Sequence, residues 1–210
     1  PEPAEIVVNA HAIIGTLGIV ALGNIDIVLA KHSLTPELAG AYGALAVVAK
    51  IIFFVTGVIA TVLFSMSSES VEKNNNRHPQ SFFVFWSALT LTITVSAVAV
   101  AFYFFAPEFV MGIFFGDKYL AVAPLLGWFG LAAGLYAVVN LILQQLLSMH
   151  LIRPAQWLLM ITIMESLALF FFGASITSII VIVIGAQILA LFCGLAFVLK
   201  ACKIQVNVKI

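Results

Sequence analysis

The sequence predicts an all-α fold, a polytopic transmembrane bundle of six helices, on three observations. The hydrophobic share is 63%, the charged share 9% and the mean hydropathy +1.20, where a soluble domain carries roughly 25% charged and about 45–50% apolar residues. Six stretches supply the run of about 20 mostly apolar residues that a helix needs to cross a hydrocarbon core. Polar or Pro/Gly punctuation separates each from the next. A water-soluble chain of this size cannot hide so much apolar surface in one core, because surface-to-volume scaling limits the fraction it buries.

The six spans are Ile6 to Leu29, Ala39 to Met66, Ser81 to Ala106, Ala121 to Met149, Pro154 to Gly173 and Thr177 to Lys200. They lack period-two alternation and far exceed the roughly 9 to 11 residues of a barrel strand, which selects helix. Between the first two, Lys31 to Gly40 reads as a turn and a helix start, with Thr35 as N-cap, Pro36 at the first helical position and Glu37 in the first turn. Ser67 to Gln80 holds Glu69, Glu72, Lys73, three consecutive asparagines and Arg77, and reads as an aqueous loop. Pro107 to Gly116 is apolar but too short to cross; it reads as a helix lying in the interface, its aromatics at headgroup depth. Gly173 to Ser178 is a tight turn before the sixth span. No internal repeat or second domain is visible, so residues 1–210 form one bundle.

Lys and Arg set the orientation. With a cytoplasmic N-terminus, the inner loops and tail hold Lys73, Arg77, Arg153, Lys200, Lys203 and Lys209, and the outer loops hold Lys31 and Lys118. Six against two obeys the positive-inside rule and places both termini in the cytoplasm. The formal net charge of +0 points to no nucleic-acid partner. Cys193 and Cys202 are too few for a disulfide framework or a zinc site. The chain starts at Pro1 without a signal-peptide pattern and is expected to be a piece of something longer.

Ionisable residues at membrane depth are costly, by roughly 2.5–3.5 kcal/mol on insertion scales, and mark sites. Asp26, Lys50 and Glu165 stand out. Counting about 1.5 Å per residue puts Lys50 and Glu165 at one depth, which suggests an ion pair or a shared aqueous cavity. Three readings stay open: a structural pair, a substrate or coupling-ion site, or a snorkelling lysine. Gln187 sits near the same level, placed to hydrogen-bond to either. Asp26, with Asn24 beside it, falls close to the outer end of the first span, as an interfacial carboxylate or as a contact for a cation or sugar. Asn140 and Gln144 share a helix face, as interhelical glue or as substrate contacts. His11 is a packed histidine or a proton carrier. Gly40, Gly43 and Ala44, and Gly127, Gly130 and Gly134, offer faces for close helix approach, and Pro124 is placed to kink the fourth span. No Walker loop, HExxH, GxSxG or Cys/His metal spacing occurs, so an enzyme is not expected, nor a catalytic residue or bound metal.

The run Asn24-Ile-Asp26-Ile-Val-Leu-Ala-Lys31-His, then Pro36-Glu37-Leu-Ala-Gly40-Ala-Tyr42, Ala49-Lys50-Ile-Ile-Phe-Phe and Val62-Leu-Phe64-Ser, resembles the seventh and eighth helices of oligosaccharide flippases. These are polysaccharide and O-antigen exporters of the multidrug/oligosaccharidyl-lipid/polysaccharide superfamily. Phe114-Phe-Gly116-Asp-Lys-Tyr119 is similar to the family's short outer loop before its tenth helix. Ser65-Met66 departs from it, since the family often has Pro there. The resemblance covers the chain as a C-terminal half, six helices of an expected twelve or more, in one half of a MATE-like flippase fold. It implies alternating access that moves an undecaprenyl-pyrophosphate-linked oligosaccharide across the cytoplasmic membrane of a bacterium or archaeon, beside the N-terminal half of the same transporter and membrane lipids. Lys50 would attract the pyrophosphate, and Glu165 or Asp26 would serve proton or sodium coupling; no other cofactor is implied. A drug or peptidoglycan-precursor exporter of the superfamily, and a non-transporting membrane fragment, remain as alternatives.

Overall fold

The computed structural model describes residues 16–73, 79–148 and 153–207, and every regular element among them is helical. In chain order these are α1 (16–22), α2 (Ile25–Ser33), α3 (Pro36–Ala49), α4 (Ile51–Lys73), α5 (Pro79–Phe105), α6 (Pro107–Phe115), a 3-10 segment (Gly116–Leu125), α7 (Leu126–Ser148), α8 (Arg153–Phe172) and α9 (Ile176–Asn207). Four stretches are long and apolar enough to cross a membrane: Pro36–Val62, Val84–Phe105, Pro107–Leu147 and Ile176–Lys200. A fifth, Gln156–Phe172, is apolar but shorter. They point to a multi-pass membrane protein. Large apolar side chains on the outside, among them Phe54, Val58, Phe105, Phe171 and Phe192, lie more than half exposed. Such a continuous apolar exterior needs hydrocarbon or another protein surface against it.

Several expected boundaries move, each for a local reason. The first span is not one helix: it breaks at Gly23-Asn24, and its second piece continues to Ser33 instead of ending at Leu29. Residues 6–15 of that span, with His11, lie outside the described residues. The second span is jointed at Lys50, whose amide still bonds to Ala46 O at 3.0 Å while its carbonyl accepts from Phe54 N at 3.1 Å. The expected aqueous loop Ser67–Gln80 shrinks, because α4 runs on to Lys73 and α5 begins at Pro79. Ser, Glu and Lys are tolerable helix formers, and polar composition alone does not end a helix. The fourth span begins at Leu126, five residues later than expected, with Pro124 left in the 3-10 segment ahead of it. Proline lacks the N–H that an α-helix interior requires and disfavours α geometry in the residue before it. The sixth helix continues to Asn207.

Other expectations hold. Thr35 caps α3, its Oγ1 accepting from Leu38 N at 3.5 Å, with Pro36 at the first position. The short apolar helix is α6, closed by Gly116 at φ 61, a backbone conformation that costs a residue with a Cβ.

α7 is the central helix, packed against α4, α5 and α9. Its small residues allow close approach to α5. A Cβ on Gly130 would stand 2.6 Å from the Tyr103 ring, and one on Gly134 3.3 Å from Ser96 Cβ. Gly127 meets Phe104 in the same way. On α3, Gly40 faces the Tyr119 hydroxyl at 3.4 Å, but nothing lies within 4 Å of Gly43. Hydroxyls inside the spans mostly bond back to the preceding turn, as Thr56 does to Ile52 O at 2.8 Å and Thr94 to Thr90 O at 2.8 Å.

The connections expected outside share one end of the bundle. The α2–α3 turn lies there with α6, the 3-10 segment and the α8–α9 turn. The core cluster at this end joins Ala30, Leu34, Met111, Ala123, Leu169 and Ile176, and His32 stacks on Phe170 with centroids 5.8 Å apart. Exposed residues of this end should therefore label together. Cysteines placed singly at Asp117 and Ser175, with Cys193 and Cys202 replaced by serine, are expected to react with a membrane-impermeant maleimide on intact cells; protection of either refutes the orientation. A second expectation concerns packing: Gly130→Val should cost about 1–3 kcal/mol by forcing α7 from α5, read as a fall in melting temperature of the purified protein.

Candidate functional site

The break in the first span is where backbone and charge meet. At Asn24 the chain leaves helical geometry (φ −137, ψ −12), and its amide bonds to Ala21 O at 3.0 Å. In hydrocarbon no water makes good the bonds that such a break forfeits. The Asn24 side chain does so at Val20 O, and two side chains from other helices approach the neighbouring carbonyls. Asn24 Nδ2 donates to Val20 O at 2.8 Å, replacing the i−4 bond that its own amide no longer makes. Tyr136 Oη, from α7, donates to Ile19 O at 2.8 Å, and Thr162 Oγ1, from α8, reaches Gly18 O at 3.3 Å. Gly23 admits the Tyr136 ring: a Cβ there would overlap the phenol.

Just beyond the break, α2 carries Asp26, 2% exposed. Its Oδ2 accepts from Tyr42 Oη at 2.6 Å, and its Oδ1 lies 3.4 Å from Lys50 Nζ. Lys50 Nζ also reaches Asn24 Oδ1 at 3.5 Å. The joint between α3 and α4 thus delivers an ammonium to the break in the first span, where a carboxylate and an amide oxygen receive it.

This corrects two expectations. Asp26 is not close to the C-terminal end of its helix. Because α2 continues to Ser33, the carboxylate sits seven residues below the helix end, roughly 10 Å at about 1.5 Å per residue. And the carboxylate that pairs with Lys50 is Asp26, not Glu165. Glu165 is 2% exposed on α8, and neither of its oxygens has a hydrogen-bond partner. It remains within electrostatic range of Asp26, Lys50, Tyr42 and Tyr136. Gln187 on α9 is 1% exposed, and its Oε1 is likewise unpartnered, so it bonds to neither Lys50 nor Glu165 through that atom.

Asn140 is buried and Gln144 half-buried on α7, and among the described residues neither makes a hydrogen bond to another helix. The cluster therefore gathers Asn24, Asp26 and Lys50, keeps Glu165 within electrostatic reach, and does not recruit Asn140 or Gln144. No group of three or more His, Cys, Asp or Glu placed to hold a metal ion occurs among the described residues.

Sequence reasoning missed Tyr42 and Tyr136, which tie the cluster together. Both were available as tyrosines deep in apolar spans, a place where a phenolic hydroxyl must find an acceptor. The dipeptide Gly23-Asn24 was a turn signal inside the first span. Comparison of the chain with protein-family models, with curated proteins and with solved structures finds no match.

Tyr42→Phe removes the hydroxyl that Asp26 accepts, and should cost about 1.5–3 kcal/mol, as for a hydrogen bond to a charged group. Gly23→Ala should cost a comparable amount by expelling the Tyr136 ring and losing its hydroxyl bond to Ile19 O, a carbonyl that keeps only its backbone bond from Gly23 N at 3.1 Å. Melting curves of the two purified variants check both; an unchanged melting temperature for either disproves the corresponding contact.

Proposed function

We propose that this chain is the C-terminal half of an oligosaccharide flippase, a transporter and not an enzyme. Its cargo is an undecaprenyl-pyrophosphate-linked oligosaccharide, moved by alternating access across the cytoplasmic membrane of a bacterium or archaeon for polysaccharide or O-antigen synthesis. The observation that carries the reading is the Asp26–Lys50 pair buried beside an interrupted helix. Charged groups inside membrane helices mark pathways for substrates or ions, and discontinuous helices build binding sites near the midplane of secondary transporters. The family assignment is supported by the residues that resemble the flippases, which include Asn24, Asp26, Tyr42 and Lys50, four members of this cluster.

In this mechanism the six-helix half faces the N-terminal half across a cavity, and the two halves rock about each other while lipid tails stay in the bilayer. Lys50, 14% exposed by its side chain, presents the positive charge that draws a pyrophosphate. Asp26 holds the ammonium in place between cargoes. Termini in the cytoplasm follow from the loop charges.

A second reading has its own support. Glu165, buried without a partner, suits a cation-coupled exporter of drugs or of a lipid-linked peptidoglycan precursor. A strongly cationic cavity in the N-terminal half would favour the anionic lipid-linked cargo, and glycosyltransferase genes beside this one would favour the oligosaccharide.

Lys50→Ala, Asp26→Ala and Glu165→Ala in the complete protein are expected to reduce surface glycan while protein levels in the membrane stay near normal. Normal glycan in all three variants overturns the transport reading.

A further inference from the structure

Two buried carboxylates, Asp26 and Glu165, share one ammonium, and only Asp26 has it. The ammonium itself is loosely held: 3.4 Å to Asp26 Oδ1 and 3.5 Å to Asn24 Oδ1 are both longer than the roughly 2.7–2.9 Å of a charge-assisted hydrogen bond. Asp26, by contrast, also accepts a short bond of 2.6 Å from Tyr42. Lys50 stands at the joint between α3 and α4, and its four-carbon stem carries a point charge that several side-chain rotamers can redirect. Glu165, from α8, has both oxygens bare. Two hydroxyls also stand within electrostatic range of Asp26 and Glu165, those of Tyr42 on α3 and Tyr136 on α7. Tyr42 is committed to Asp26 and Tyr136 to Ile19 O, so neither serves Glu165.

We propose that Lys50 is a tethered counter-ion with two positions, one on Asp26 and one on Glu165, so that its side chain exchanges between the first span and α8. The exchange couples the two pieces of the site: with Lys50 on Asp26, the helix break is bound to the α3–α4 joint; with Lys50 on Glu165, α8 is bound to that joint and Asp26 keeps its bond from Tyr42. Buried networks of this kind have discrete arrangements and make two-state elements. Lys50 thereby takes, from within the chain, the place that a coupling cation would otherwise fill. The inference takes its purpose from the transport reading, but its test reads stability and does not depend on transport.

The test is the effect of Glu165→Gln in two backgrounds, measured as the melting temperature of the purified full-length chain in detergent. In the natural background Glu165 lacks the ammonium, so the neutral amide should leave the melting temperature unchanged or raise it. In the Asp26→Asn background Glu165 becomes the only carboxylate for Lys50, and the same substitution should lower it, by about 2–4 °C for a contact near 1 kcal/mol. That change of sign is the expected result. Equal shifts in both backgrounds overturn the proposal. So does a stabilisation by sodium chloride over choline chloride that Glu165→Gln abolishes, since a metal ion would then hold the second position. Should Asp26→Asn fail to accumulate, Lys50→Met gives the reading from the other side. Without the ammonium, Glu165→Gln should raise the melting temperature by more than in the natural protein, and an equal or smaller rise refutes the exchange.

Discussion

A membrane helix that breaks in hydrocarbon must find hydrogen-bond partners for the carbonyls it uncovers, and the interior of this protein is arranged around that requirement at Gly23-Asn24. The break diverts the Asn24 amide from Val20 O to Ala21 O, and the Asn24 side chain takes its place at Val20 O; Tyr136 from α7 adds a bond to Ile19 O, and Thr162 from α8 stands 3.3 Å from Gly18 O. Each unsatisfied backbone group in the bilayer core costs several kcal/mol. The Tyr136 bond ties the break to α7, and the position of α7 depends in turn on its glycine-lined approach to α5.

The same break creates the charged site. A continuous helix has no use for the Asn24 amide on its own backbone and presents no such pocket for a lysine from the next span. Once interrupted, it turns Asn24 Oδ1 and Asp26 toward Lys50 and admits the Tyr42 hydroxyl to Asp26. Burial of the pair, with side chains 14% and 3% exposed, is a weak argument for stability, because removing both charges from water offsets much of their attraction. It is a better argument for function, since a cost that stability does not require needs another reason to be kept. Thr92 and Ser96 on α5 present a milder case: both hydroxyls are buried and lack a partner, unlike the other threonines that bond back along their helices.

Much of the architecture was legible in residues. Long apolar runs require helices, since backbone groups in lipid must pair within the segment, and the cap at Thr35-Pro36, the short helix after Pro107 and the close faces at Gly127, Gly130 and Gly134 follow from local chemistry. Element ends were less legible. Polar residues from Ser67 to Lys73 continue a helix that their composition alone suggested would stop. Pro124 delays a helix that hydropathy alone began at Ala121.

For the site, the sequence by itself singled out Asp26, Lys50 and Glu165 as charges set in apolar stretches that need partners, because a charge taken out of water is costly wherever it sits. Which partner each one has was decided only by tertiary structure. Depth counted along a straight helix placed Lys50 level with Glu165, yet a break of two residues and an extension of α2 to Ser33 brought Asp26 to Lys50 instead. Pairing across helices depends on rotation and offset between them, which packing sets and a one-dimensional count of residues does not contain.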